Sequence, residues 1–147
     1  MKRLFCFSLL IMAGCGALSP RGVAAESNAE VQARSAALEL AGAFSNDGFK
    51  IRDGRWPTSI AVKQPRFIQV NLYAGNQYWF IAAASDEAKR VEVTVFNENG
   101  EPVATEPHQS GVRAAAGFSP QLSGPYYVRI EELEGNPASV CLLYSYK

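Results

Sequence analysis

Histidine is almost missing from this 147-residue chain, which holds one, His108, and only three cysteines. A zinc centre normally needs three or four nitrogen and sulfur ligands, and a serine or cysteine hydrolase needs a histidine set beside its nucleophile. Zinc chemistry is therefore not expected, and a histidine-based triad would have to use His108, in a Pro- and Gly-flanked segment, with no Gly-x-Ser-x-Gly element anywhere in the sequence. Net charge is missing as well: 14 Lys and Arg stand against 14 Asp and Glu. Without a basic excess to neutralise phosphates, no nucleic-acid partner is expected. Long apolar runs are confined to the N-terminus, which argues against a polytopic membrane protein. With 48% hydrophobic residues and 19% charged residues, the chain is also too apolar for a disordered tail.

That one run, Leu4 to Leu18, follows Lys2 and Arg3 and precedes Val23-Ala24-Ala25, the small-x-small pattern of a signal-peptidase site. The expected organisation is a signal peptide over 1–25, a helix and linker over 26–48, and a β-sandwich over 49–147. Removing 25 residues, with their three bases, leaves 122 residues carrying 11 bases against 14 acids. Met12-Ala13-Gly14-Cys15 gives a second reading, since it is similar to a bacterial lipobox. Lipidation at Cys15 would anchor the protein to the bacterial membrane instead of releasing it to the periplasm or medium. After cleavage at Ala25, Cys141 is the last remaining cysteine, so packing rather than an intrachain disulfide must hold the domain together.

Ser27 and Glu30 are spaced as a capping box, and Ala33, Ala37, Leu40, Ala41 and Phe44 recur on one helical face until Ser45-Asn46-Asp47-Gly48. From Phe49 the period changes to two. Short strands are expected at Phe49 and Ile51 and, after an Asp53-Gly54 turn, at Trp56 to Val62, where Pro57 requires an edge. Arg66 to Tyr73 places Ile68, Val70 and Leu72 on one face. Gln77 to Ala84 is apolar on both faces, and the N-terminal helix is the cheapest cover for Trp79, Ile81 and Ala83. Strands at Val91 to Val95, Val112 to Phe118, Tyr126 to Ile130 and Val140 to Tyr146 follow, with Asn97 to Gly100 as a turn and Thr105 to Gly111 as a polar loop. The expected fold is a mostly β, antiparallel, jelly-roll-like sandwich of seven or eight strands with one N-terminal α-helix.

Three segments carry a family resemblance: Phe67 to Asn76 with Gln77-Tyr78-Trp79-Phe80, Val93 to Gly100, and Phe118 through Ser123-Gly124-Pro125-Tyr126-Tyr127-Val128-Arg129-Ile130. Their order resembles the bacterial pre-peptidase C-terminal type of β-sandwich. The resemblance implies a non-catalytic accessory or ligand-contacting role. This chain departs from the family in having no catalytic domain and in adding the N-terminal helix.

Candidate chemistry is sparse. Glu131, Glu132 and Glu134 offer carboxylates for a glycosidase, but as strand neighbours rather than as a pair across a cleft, so a solvated rim at a sheet end is their expected role. Asp47, Asp53, Asp86 and Glu87 lack the short regular spacing of a calcium loop, and Asn97-x-Asn99-Gly100-Glu101 suits a turn better than half of such a loop. Cys141, between Val140 and Leu142, is expected to be a buried packing group. No catalytic residue, metal ligand or cofactor is assigned. The aromatic residues Trp56, Trp79, Tyr127 and Tyr144 are the candidate ligand contacts. The expected function is an exported non-catalytic module binding an envelope or extracellular partner, a protein or a glycan. A carbohydrate-contacting module and a small envelope hydrolase are the alternatives.

Overall fold

A computed structural model describes residues 25–52 and 56–147. Residues 1–24, with the expected signal peptide and the lipobox-like segment ending at Cys15, and residues 53–55, where the Asp53-Gly54 turn is expected, lie outside the described residues. Helix α1 (Asn28–Ser45) precedes β1 (Lys50–Ile51), β2 (Trp56–Ile60), β3 (Arg66–Leu72), β4 (Tyr78–Ala84), β5 (Ala88–Phe96), β6 (Glu106–Ser110), β7 (Arg113–Phe118), β8 (Gly124–Gly135) and β9 (Ala138–Tyr146). The larger sheet runs β1-β9-β4-β7-β6, with β2 also paired to β9, and the smaller runs β3-β8-β5. All pairings are antiparallel. The two sheets pack as the expected sandwich.

Nine strands stand among the described residues where seven or eight were expected. The correction lies largely in Thr105 to Gly111, which holds β6 rather than a loop. Every residue of β6 is exposed, so no face is buried and no apolar alternation betrays the strand. Its backbone instead pairs with β7, Glu106 opposite Gly117 through Ser110 opposite Arg113. Pro107 and the exposed Glu106 suit an edge that must not recruit further strands.

Between the sheets lies a core of inward residues from both: Tyr78, Phe80, Leu142 and Tyr144 from the larger sheet meet Val70, Leu72, Val91, Val95, Val128 and Ile130 from the smaller. Strand β4 divides its side chains as its two-sided pattern requires. Phe80 and Ala82 enter this core, while Ile81 and Ala83 face outward with Ala115, Cys141 and Leu143. Cys141 is 1% exposed, as its apolar neighbours suggested.

Helix α1 closes that outer face. Ser27 and Glu30 cap it reciprocally: the Ser27 hydroxyl accepts from the Glu30 N–H at 3.2 Å and the Glu30 carboxylate accepts from the Ser27 N–H at 2.7 Å. Ala33, Ala37 and Ala41, one turn apart, are fully buried against the sheet, because a methyl group lets the helix backbone approach closely. Phe44 stacks on Trp79, with ring centroids 4.3 Å apart and planes 18° apart. That indole also lies against Gly117, where an added Cβ would come within 3.0 Å of the ring. Polar ties flank the apolar stripe. Gln32 is bonded to both the side chain and the backbone N–H of Asp86, and Arg113 reaches Glu39 at 2.7 Å.

Candidate functional site

The two outer faces of the sandwich differ. Helix α1 covers the large sheet, whereas no described element covers the outer face of β3-β8-β5. Register and strand alternation place three rows there: Phe67, Arg129 and Thr94; Gln69, Tyr127 and Phe96; and Glu131 with Glu92. Arg129 is the hub. Its guanidinium donates to the Thr94 hydroxyl at 3.1 Å and to the Glu92 carboxylate at 3.3 Å, and it lies 3.6 Å from the Glu131 carboxylate. It also sits over the Phe96 ring at 5.5 Å, while its Nε has no hydrogen-bond partner. Phe67 flanks Phe96 with centroids 6.0 Å apart and planes 56° apart.

At the end of this face where β8 begins, a groove of about 360 Å³ runs between the Asn97–Asn99 turn and the Gln121–Tyr126 segment. The turn is built by Asn97, whose side-chain oxygen accepts from the backbone N–H groups of Asn99 and Glu101 at 3.0 and 2.9 Å. That oxygen therefore does turn duty, as the sequence reading favoured. Leu122, 75% exposed, stands on the groove's rim.

Of the four aromatic residues singled out from the sequence, only Tyr127 lies on the uncovered face. Tyr144 is 5% exposed in the core and is not available to a ligand, a correction to its proposed role. Trp56 stacks on it at 5.6 Å, and Trp79 is stacked on Phe44 and lies close against Gly117. The residues missed were Phe67, Phe96 and Arg129. Their signal was present in the alternation of β3, β5 and β8, whose outward positions carry aromatic and charged residues where an inert face would carry small polar ones.

The three carboxylates of β8 do not converge. Period-two alternation sends Glu131 outward to Arg129 and Glu132 inward, while Glu134 is exposed beside the irregular end of β5. Glu132 is fully buried, and neither of its carboxylate oxygens has a hydrogen-bond partner. The rim role expected for it is therefore corrected: it continues the inward series Tyr126, Val128, Ile130. Burial raises its pKa above the ordinary carboxylate value, because desolvation penalises the charged form. A folded-state pKa above the unfolded one means that the protonated acid favours folding. This contribution is complete below the unfolded value of about 4.5 and is lost as pH rises through the folded value. Glu132→Gln should therefore raise stability near pH 7 by at least about 1 kcal/mol and leave it nearly unchanged near pH 4. Urea unfolding at the two pH values checks this, and an equal effect at both would place the carboxylate in water.

Asp47 lies in the turn that ends α1, Asp86 is tied to Gln32, and His108 sits on exposed β6 with the Phe44 ring 6.5 Å away, edge-on. No group of three or more potential metal-ligating side chains occurs among the described residues. No protein-family model matches the sequence, and no curated protein matches it significantly.

Proposed function

We propose that this protein is an exported, non-catalytic module of the bacterial envelope or extracellular space that binds a protein partner through the outer face of β3-β8-β5. The observation that carries the reading is the asymmetry of the sandwich. One outer face is sealed by a helix whose alanines match it closely, while the other leaves Phe67, Phe96 and Tyr127 grouped around Arg129 with no described element laid over them. Aromatic residues and arginine are the residue types that dominate protein interfaces. The pattern-level resemblance to pre-peptidase C-terminal sandwiches supports an accessory role, and the Lys2-to-Ala25 leader supports export.

The ring geometry favours a protein over the alternative, a glycan. Sugar rings stack on flat strips of aromatic faces, and Phe67 and Phe96 are inclined by 56°. The carboxylates nearest the site, Glu92 and Glu131, are both tied to Arg129, which gives no support to the alternative of a hydrolase. In the test, a photo-crosslinking residue is placed at Tyr127 or, as a control, at exposed Leu38 on α1, and envelope extracts are probed with each. Protein adducts from position 127 that vanish on Phe96→Ala are the expected result. Equal labelling from both positions would overturn the reading. Retention on insoluble envelope glycan that is lost with Phe96→Ala would move the assignment to the carbohydrate alternative.

A further inference from the structure

A sheet edge presents unpaired N–H and C=O groups, and proteins that stay monomeric guard such edges with proline, charge, bulges or cover. Four of the five strands at the borders of these sheets are guarded. Strand β2 carries Pro57, β6 carries Glu106 and Pro107, and β1 has two residues. Strand β5 is irregular at Ala88 to Val91, and its outer side is hydrogen bonded by Val103 and Gly111. Strand β3 is the exception. From Phe67 to Leu72 it has no charge, proline or bulge, and among the described residues it pairs with β8 alone.

The direction of its free groups follows from Pro125. This residue stands opposite Asn71 and has no N–H to give, so the ladder to β8 uses the alternate residues Arg66, Ile68, Val70 and Leu72. The main-chain groups of Phe67, Gln69 and Asn71 therefore point to the open edge. Two exposed aromatic side chains mark its ends: Phe67 is 58% exposed and Tyr73, one residue past the strand, is 54% exposed.

We propose that β3 pairs antiparallel with β3 of a second copy of this chain across a two-fold axis at Val70. One register makes the edge complementary to itself. Phe67 then faces Tyr73 of the second copy, Gln69 faces Asn71, and Ile68 faces Leu72, so aromatic meets aromatic, amide meets amide and aliphatic meets aliphatic. Moving the axis to Gln69 sets Phe67 against Asn71 and Tyr73 against Pro65. Moving it to Asn71 sets Tyr73 against Gln69 and leaves Phe67 without a strand partner. Charge agrees with the antiparallel arrangement, since Arg66 is the one charged residue of β3 and the two copies hold it at opposite ends. Gln69 and Asn71 exchange main-chain hydrogen bonds on each side of the axis. Tyr73 adds its ring and its carbonyl, its N–H being held by the Tyr78 hydroxyl at 3.0 Å. The result joins the two small sheets into one and sets two copies of the uncovered face side by side. It does not depend on what that face binds.

Sedimentation equilibrium at about 100 µM, well above a micromolar dissociation constant, should give the mass of two chains. Phe67→Lys should give the mass of one while leaving the circular dichroism unchanged. A one-chain mass for the unaltered protein overturns the proposal. The register is read independently by cysteine substitution, because hydrogen-bonded antiparallel pairs lie about 5.5 Å apart at Cα, within disulfide reach. A mixture of Gln69→Cys and Asn71→Cys proteins should cross-link under mild oxidation, joining two peptides of different mass. Neither variant alone should do so through its new cysteine. Cross-linking of Gln69→Cys with itself, or no cross-link in the mixture, would overturn the register.

Discussion

Gly135→Ala is expected to destabilise the domain by about 3–5 kcal/mol, combining backbone strain with overpacking. Gly135 ends β8 at a φ of 129°, a region that side chains rarely occupy. A methyl group there would come within 2.7 Å of both the Ala88 Cα and the Lys89 nitrogen, and within 2.8 Å of a Glu132 carboxylate oxygen. The first two are main-chain atoms of β5 and cannot swing aside. Gly75→Ala is the control, because Gly75 also has positive φ, 92°, but nothing lies within 4 Å of an added Cβ. That change should cost about 1 kcal/mol from strain alone. Urea unfolding of the two variants separates strain from collision. Equal losses would mean that β5 does not seat against this end of β8.

Much of the architecture was legible in the sequence because burial writes a period into it. The capping box at Ser27 and Glu30, the alanine stripe of α1 and the two-sided strand Tyr78–Ala84 all report elements with a buried face. Strand β6 was not legible, since a fully exposed edge imposes no alternation. Glu132 was misplaced for a different reason. Residue type suggested a solvated rim, whereas the alternation through Tyr126, Val128 and Ile130 required an inward position, and the period prevailed. The candidate site was legible only in Tyr127. Aromatic type cannot distinguish a core ring such as Tyr144 from a surface one such as Phe67; that distinction depends on strand register and on which sheet receives the helix.

Ala37→Glu should cost about 3–5 kcal/mol and separate the helix from the sheet, because it forces an unpaired carboxylate into a fully buried contact. The same interface should lose about 2 kcal/mol in Phe44→Ala, less than a fully buried phenylalanine would, since Phe44 is only partly buried on Trp79. Ala43→Glu, on the exposed side of the same helix, should change stability by less than about 0.5 kcal/mol. Detachment would uncover Ile81, Ala83, Ala115 and Leu143 together, a contiguous apolar surface of the kind that binds the dye ANS. Ala37→Glu should therefore combine new dye fluorescence with a retained β-sheet circular dichroism signal, because the inter-sheet core of Phe80, Leu142 and Val128 does not include the helix. Dye binding without loss of stability would show that the helix contributes cover but little energy. Unfolding of the whole domain in that variant would overturn this expectation and show instead that helix and sandwich form one cooperative unit.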